Sequence, residues 1–336
     1  MERVLKNDPA FRNVFDVGES GFWEVCRETF LWQYRHHGLY HRYCSLLKID
    51  PHAVERPEAV PFLPIGFFKT HLVGMGNDSS PLLFRSSGTT AEIRSRHHVL
   101  HPEWYEESFS RTFRLFYGDP GKYRILCLVP DYRHKPESSL AYMCNRLIGD
   151  SGHPESGFYL QDFGSLHRVL QDLEQKGLQA LLLGVTYALL DFAEQYPVPL
   201  RNTLVMETGG MKGRREEITR KAAHEALKKA FGCTHIHSEY GMTELLSQAY
   251  SSSDGIFRCP PWMKMLIRDE TDPLYLREPK NHPVRGAVNI IDLANRFSCP
   301  FIATDDAGIL YPDGSFEITG RLDHSDIRGC SLMSLE

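Results

Sequence analysis

The sequence lacks several features that mark common protein classes. Its eight cysteines form no Cys-x-x-Cys pair, so a zinc or redox motif of that kind is not expected. No run of about 18 apolar residues occurs, which excludes a simple membrane span. The formal net charge is -5, whereas nucleic-acid binders are usually basic, so no nucleic-acid partner is expected. The amino terminus lacks the apolar core of a secretion signal, and we therefore expect a cytoplasmic protein with reduced thiols.

What is present is an ordinary globular composition, with 42% hydrophobic and 24% charged residues in a chain of 336. Residues 1–80 read as a helical lead-in that ends in a proline-rich linker. Residues 81–254 alternate continuous apolar strands with amphipathic helices, which predicts an α/β body with a mostly parallel sheet. Residues 255–336 have short strands and turns, and they predict a smaller β-rich unit with a short C-terminal tail.

One loop combines small hydroxyl residues with nearby positive charge. The sequence "FRSSGTTAEIRSRHH" holds a hydroxyl loop made of Ser86, Ser87, Gly88, Thr89 and Thr90, and it also contains Arg85, Arg94 and Arg96. Backbone N–H groups and hydroxyls in such a loop can surround phosphate oxygens. The spacing differs from that of a Walker A loop. A plain serine/threonine turn is the alternative interpretation.

Two further segments follow predicted strands of the α/β body. Gly209 and Gly210 stand between a strand and a helix, where they would let the backbone pass close to a flat ligand or simply form a tight turn. In "YGMTE", Tyr240 is a candidate for stacking on a base, Thr243 for a phosphate contact and Glu244 for binding Mg²⁺. The alternative is a helix that begins here, with Thr243 as its cap.

Acidic residues in the C-terminal part suggest a sugar-binding position. Asp305 and Asp306 are predicted to follow a strand, where a carboxylate can bind ribose hydroxyls. Arg321 and Asp323 come one hairpin later. The intervening "YPDGS" predicts the hairpin turn itself.

Taken in this order, the motifs resemble those of the acyl- and aryl-adenylate-forming superfamily. Tyr240-Gly241-Met242-Thr243-Glu244 matches the aromatic-Gly-x-Thr-Glu motif of that superfamily residue for residue. Its ribose-binding acid falls on Asp306, and its Gly-Arg-x-Asp motif includes Arg321. The resemblance covers roughly residues 60 to 330. It implies a large adenylating domain, ATP and Mg²⁺ as cofactors, and a carboxylic acid that is activated as an acyl-adenylate.

A narrower resemblance comes from "FFKTH", "TGGMKG" and the ending "GRLDHSDIRGC". These stretches look like the acyl-protein synthetases of bacterial luminescence, which are subunits of a fatty-acid reductase complex. The resemblance implies a fatty acid substrate, an acyl-CoA reductase-like or acyl-carrier partner, and no mobile C-terminal domain with its lysine. It also implies that Cys330 receives the acyl group as a thioester, helped by the nearby Arg328. The alternative is an inert terminal cysteine.

Several residues keep two interpretations. Lys69 is a candidate to replace the missing lysine near the phosphates, or it is a surface lysine. His71, His97 and His98 are candidate bases, although polar filler is the more ordinary role for a lone histidine. His237 is expected to line an acyl pocket. At the level of the whole protein, the rivals are a phenylacetate-type acyl- or aryl-CoA ligase and a non-catalytic nucleotide-binding scaffold subunit.

Overall fold

The computed structural model describes residues 14–75, 80–87, 93–209 and 218–322. Helices in these residues are α1 (Phe22–His36), α2 (Gly38–Leu46), α3 (Phe67–Thr70), α4 (Pro102–Tyr117), α5 (Ser139–Ser151), α6 (Phe163–Gln175), α7 (Thr186–Gln195) and α8 (Arg220–Phe231). The first strands are β1 (Leu63–Pro64), β2 (Leu82–Arg85), β3 (Arg96–Val99), β4 (Arg124–Leu128), β5 (Gly157–Phe158), β6 (Ala180–Val185) and β7 (Thr203–Thr208). They are followed by β8 (His237–Tyr240), β9 (Ala249–Ser251), β10 (Met263–Arg268), β11 (Leu276–Arg277), β12 (Val284–Asp292), β13 (Phe301–Leu310) and β14 (Phe316–Arg321).

The first large sheet has the strand order β5-β4-β6-β7-β8-β9. Adjacent strands from β5 to β8 in this order are parallel, and β9 pairs antiparallel with β8 at the edge of the sheet. Every residue of β6, "ALLLGV", is buried, as expected for a central parallel strand that is covered by helices on both faces. The predicted α/β class with a mostly parallel sheet is therefore confirmed.

The second large sheet has the order β1-β13-β12-β10-β11, with β14 paired to β13. Its pairs are antiparallel except that β1 runs parallel to β13, with Leu63 opposite Ile302. The lead-in therefore supplies a strand to the sheet of the C-terminal unit. Its helices pack there too, because Phe30 of α1 meets Phe301 of β13 edge-on at 6.3 Å between ring centroids. The division at residues 80 and 254 stays a prediction.

A separate antiparallel pair is made of β2 and β3, and the segment between them in the sequence contains the hydroxyl loop. Its register pairs Leu82 with Val99 and Arg85 with Arg96. Phe84 and Val99 are buried, so the pair is attached to the core that runs through both large sheets. No helix within the described ranges is long and apolar enough to cross a bilayer.

Two local expectations are wrong. β13 runs unbroken through Asp305 and Asp306, so these acids lie inside a strand and do not follow one. The chain after β8 forms turns where the alternative interpretation expected a helix capped by Thr243. The reason lies in the buried Asp292 carboxylate, whose Oδ2 accepts backbone N–H bonds from Leu246 and Ser247 at 2.8 and 2.9 Å. Such bonds satisfy the backbone of an irregular segment without a helix.

Candidate active site

The centre of the site is a hydrogen bond that joins the two large sheets. Tyr240, the last residue of β8, donates its hydroxyl to Asp306 Oδ2 on β13 at 2.7 Å. Arg321 lies opposite Asp306 in the β13–β14 register, with 3.7 Å between its Nε and Asp306 Oδ1. The Arg321 side chain is 86% exposed, so this ion pair is weakly held and the guanidinium is accessible to a ligand.

Tyr240 is a buried hydrogen-bond donor. Its ring meets the rings of Phe257 and Phe316 at centroid distances of 6.0 and 5.9 Å, and the residue is only 8% exposed. Burial, together with the negative charge of Asp306, raises the pKa of the Tyr240 phenol well above its ordinary value. The hydroxyl therefore keeps its proton and fixes the direction of the Asp306 carboxylate.

Asp306 itself is a mostly buried acid. Burial raises the pKa of its carboxyl, while the hydrogen bond from Tyr240 and the charge of Arg321 act in the opposite direction. Its backbone N–H donates to Thr304 Oγ1 at 3.1 Å. A carboxylate accepts several hydrogen bonds, so Asp306 can hold Tyr240 and two ligand hydroxyls together.

Glu244 lies four residues beyond Tyr240 and is 5% exposed. Burial raises the pKa of its carboxyl, and a hydrogen bond with the side chain of Ser95 opposes that shift. Ser95 also closes the base of the hydroxyl loop, because its N–H donates to Ser86 Oγ at 2.9 Å and its carbonyl accepts from the Ser86 N–H at 3.1 Å. The structure thus brings Glu244 to the base of that loop.

The backbone of the Thr243–Glu244 turn is fixed by two buried side chains. The Thr243 carbonyl lies 2.7 Å from His97 Nδ1, and the Glu244 carbonyl accepts a hydrogen bond from Asn295 Nδ2 at 2.7 Å. His97 belongs to β3, and Asn295 belongs to the connection between β12 and β13. Two separate parts of the chain therefore hold this turn.

Two glycines stand at the carboxyl ends of β7 and β8. Gly209 has a φ of 51°, in the left-handed region that favours glycine. At Gly241 a Cβ atom would lie 2.5 Å from Glu239 Oε1, so a larger residue would displace that carboxylate. Glu239 accepts a hydrogen bond from Thr208, which ties the two strand ends together.

The other residues that the sequence predicts for the site either have no described contact with it or fall outside the described residues. Ser87 and Lys69 are exposed, and Lys69 lies on α3, where its neighbour Phe68 meets the ring of His97 edge-on at 5.6 Å. Outside the described residues lie Gly88, Thr89, Thr90, Gly210, Asp323, Arg328 and Cys330. The roles of all these residues stay predictions.

Sequence reasoning missed the side chains that orient the motif. Ser95, Asp292 and Asn295 belong to no recognised motif, and the sequence offers His97 only as a base or as polar filler. His97 and Thr243 are 146 residues apart, and Asn295 is 51 residues from Glu244. No spacing rule in a single sequence connects positions so far apart.

Known protein families and curated proteins give no match to the sequence. Solved structures do match. ATP-bound MatB from Rhodopseudomonas palustris is 16% identical, with a TM-score of 0.52 over 73% of this chain and 49% of that chain. An ATP-bound RpMatB-BxBclM chimera is 15% identical, with a TM-score of 0.50 and the same coverage. The chain has the fold of the adenylate-forming enzymes. It spans about half the length of these two structures.

The described residues fit magnesium only together with a nucleotide. They contain no group of three or more histidine, cysteine or acidic side chains that would hold a metal ion. Mg²⁺ commonly binds one or two carboxylates and takes its other ligands from phosphates and water. The buried Glu244 beside the hydroxyl loop fits that mode. Asp306 fits the sugar of the same nucleotide.

A pocket of about 460 Å³ lies at the opposite, amino-terminal end of β8. It is lined by Phe116, Tyr117, Tyr123, Leu204, His237, Tyr250, Ser252, Ser253, Asp254, Ile256 and Arg258. His237 Nδ1 lies 3.2 Å from the Tyr117 hydroxyl, and burial lowers the pKa of His237 to about 4. The His237 imidazole is therefore neutral at pH 7 and adds no charge to the pocket.

Proposed function

We propose that the protein activates a carboxylic acid with ATP and then passes the acyl group to a thiol. The observation that carries this proposal is the Tyr240–Asp306 hydrogen bond between the two sheets, with Glu244 four residues further on beside the hydroxyl loop. One buried acid is available for a sugar and another for a metal–phosphate group, beside the carboxyl end of the parallel strand β8, and nucleotides bind at such strand ends. The shared fold with ATP-bound MatB supports this proposal.

Each residue in the site takes one part in the first step. Asp306 accepts the ribose hydroxyls, and Tyr240 holds its carboxylate in place. Glu244 would hold Mg²⁺, which would neutralise part of the charge of the phosphates. We assign the phosphates to the hydroxyl loop of Ser86, Ser87, Gly88, Thr89 and Thr90, and the adenine to Gly209 and Gly210. The accessible Arg321 stabilises the negative charge that builds up at the α-phosphate.

The chemistry balances without an oxidant or reductant. A carboxylate oxygen of the substrate attacks the α-phosphorus of ATP, the bond from that phosphorus to the β-phosphate oxygen breaks, and pyrophosphate leaves. The product is a mixed anhydride with AMP as a good leaving group. A thiolate then attacks the acyl carbon, a carbon–sulfur bond forms, and AMP leaves.

For the second step we propose Cys330 as the thiol and a fatty acid as the substrate. The resemblance of the C-terminal sequence to acyl-protein synthetases supports this choice. We assign the apolar chain to the pocket lined by His237. Its aromatic rings and neutral imidazole suit a hydrocarbon, whereas Ser252, Ser253, Asp254 and Arg258 give the rest of the lining a polar character. An acyl-CoA reductase-like protein or an acyl carrier would receive the acyl group.

The first step is tested by ATP–pyrophosphate exchange with a panel of carboxylic acids. Glu244→Gln removes a charged metal ligand, and we expect exchange to fall about 10²-fold, which is about 2.7 kcal/mol of barrier. Glu225→Gln, at an exposed position on α8, is the matched control and is expected to keep the normal rate. Normal exchange in Glu244→Gln would remove the metal role from Glu244. Absence of exchange with any acid would favour a nucleotide-binding scaffold.

The second step is tested by intact-protein mass spectrometry after incubation with ATP, Mg²⁺ and a fatty acid. The wild-type chain should gain one acyl group that hydroxylamine removes. Cys330→Ser should lose the label and keep pyrophosphate exchange, because adenylate formation precedes the thiol step. Cys233→Ser, which changes a half-buried cysteine, serves as the control and should keep the label. A thioester that forms only on added CoA would favour the acyl-CoA ligase.

A further inference from the structure

The turn that carries Glu244 is attached to a fully buried imidazole. His97 lies on β3, with its Nδ1 at 2.7 Å from the Thr243 carbonyl and its Nε2 at 3.1 Å from Asn295 Oδ1. The ring meets Phe68 edge-on at 5.6 Å and an interplanar angle of 87°, which restricts its rotation. These contacts fix both the position and the plane of the imidazole.

The direction of the Asn295 amide follows from its other contacts. Its Nδ2 donates to the Glu244 carbonyl at 2.7 Å and to the Cys299 carbonyl at 3.0 Å. Both partners only accept hydrogen bonds, so the amide nitrogen must face them and the amide oxygen must face His97. The two groups that contact the imidazole nitrogens are therefore both acceptors.

The imidazole has one proton to give to these two acceptors. Burial lowers the pKa of His97 to about 4, so the ring is neutral at pH 7 and carries a single N–H. The Thr243 carbonyl makes the shorter contact, which assigns the proton to Nδ1. His97 is then a fixed donor to the peptide unit directly before Glu244.

A second side chain from the same segment reaches the Glu244 carboxyl. Ser95 and His97 are two residues apart and both are buried, and the Ser95 side chain opposes the rise that burial causes in the pKa of the Glu244 carboxyl. Ser95 also closes the base of the hydroxyl loop through Ser86. One short stretch of chain thus holds the backbone and the side chain of the Thr243–Glu244 pair at a set distance from that loop.

We propose that His97 is a positioning residue, which aims the Glu244 carboxylate at the metal–phosphate group by holding the Thr243 carbonyl. The inference rests on the metal role of Glu244 in the proposed function. His97 touches neither the nucleotide nor the metal in this arrangement. It acts through the turn, as the side chains behind metal ligands do in other proteins.

Two substitutions of His97 separate positioning from packing. In His97→Asn the amide nitrogen can take the place of Nδ1 and still donate to Thr243. In His97→Gln the amide lies near the place of Nε2, so a polar group of similar size remains but the Thr243 contact is lost. The measurement is calorimetric ATP binding with Mg²⁺ and again with EDTA, accompanied by the melting temperature of each variant.

We expect His97→Gln to weaken Mg²⁺-dependent ATP binding about tenfold and to leave binding in EDTA unchanged. His97→Asn should stay within about twofold of wild type in both conditions. Equal losses in the two variants, or a loss in EDTA as large as that in Mg²⁺, would overturn the positioning role. If the wild-type chain binds no ATP at all, the proposed function fails and this inference fails with it.

A measurement on the wild-type chain does not depend on how the variants fold. Nitrogen-15 NMR of the histidine rings should show His97 protonated at Nδ1 and bare at Nε2, before and after ATP and Mg²⁺ are added. A proton on Nε2 would leave the Thr243 carbonyl without its donor and would refute the inference. Histidine-labelled His97→Asn protein gives a spectrum without the His97 signal. Comparison with the wild-type spectrum therefore assigns that signal.

Discussion

At the residue scale, the site depends on two buried acids that have different neighbours. Asp306 has a phenol and an exposed guanidinium beside it, whereas Glu244 has the Ser95 hydroxyl. Burial raises the pKa of both carboxyls. Acids of this kind are typical of positions where a ligand supplies the missing positive charge or hydrogen-bond donors.

The first prediction at this scale concerns the sugar. Asp306→Ala removes a carboxylate that would make charge-assisted bonds to both ribose hydroxyls, and we expect ATP affinity to fall by about 1.5–3 kcal/mol in calorimetry. Asp305→Ala, one position along β13, is the matched control and should bind ATP as the wild type does. Equal ATP binding by the Asp306→Ala variant and the wild type would disprove the role, and a loss confined to Asp305→Ala would move it to Asp305.

At the element scale, α2 begins in an unusual way. Its N-cap is His37, whose Nδ1 accepts the backbone N–H of Tyr40 at 3.2 Å, a place usually taken by a serine, threonine, aspartate or asparagine. An accepting nitrogen must carry no proton. Burial lowers the pKa of His37 to about 4, so the cap is intact at pH 7.

This cap predicts a pH dependence of stability. The unfolded chain binds a proton at His37 near its ordinary pKa, whereas the native chain binds it only near pH 4. Stability from this residue is therefore complete above about pH 6.5 and is lost as the pH falls towards 4, by up to about 3 kcal/mol. His37→Asn keeps a capping acceptor without a titrating ring, so urea denaturation at pH 7, 5.5 and 4.5 should show a shallower decline for this variant. An unchanged slope would contradict the prediction.

At the scale of the whole molecule, β8 connects two places of different character. Tyr240 at one end meets Asp306 of the other sheet, and His237 at the other end lines the aromatic pocket. The two residues are three positions apart, which is about 10 Å along a strand. If the carboxyl group of the substrate lies beside Tyr240, only an acid with a long chain reaches the pocket. A change in the pocket should therefore affect the reaction of long acids alone.

This geometry predicts an effect of chain length. Leu204→Trp should fill part of the pocket, and we expect it to lower pyrophosphate exchange with long fatty acids while short acids keep the wild-type rate. Leu115→Trp adds the same side chain at an exposed position on α4 and is the control. A uniform loss for all acids, with an unchanged melting temperature, would argue that the pocket does not hold the chain.

The sequence predicted those features that depend on neighbouring residues. "ALLLGV" predicts a buried strand because it contains no polar side chain. "YPDGS" forms a turn because Gly314 takes a φ of 78° and Asp313 Oδ1 accepts the Ser315 N–H at 3.0 Å. The α/β class followed from the alternation of such segments. Tyr240, Glu244 and Asp306 were named from short motifs, since each motif is contiguous in the chain.

The tertiary structure alone decided which distant groups meet. β1 leaves the lead-in to pair with β13, Tyr240 of one sheet bonds Asp306 of the other, and the Thr243–Glu244 turn is held from β3 and from Asn295. The buried Asp292 carboxylate satisfies the backbone of the segment after β8, which forms turns and not the helix of the alternative interpretation. Periodicity and turn chemistry depend on residues a few positions apart, whereas these hydrogen bonds depend on how whole sheets pack, and packing is a property of the folded chain.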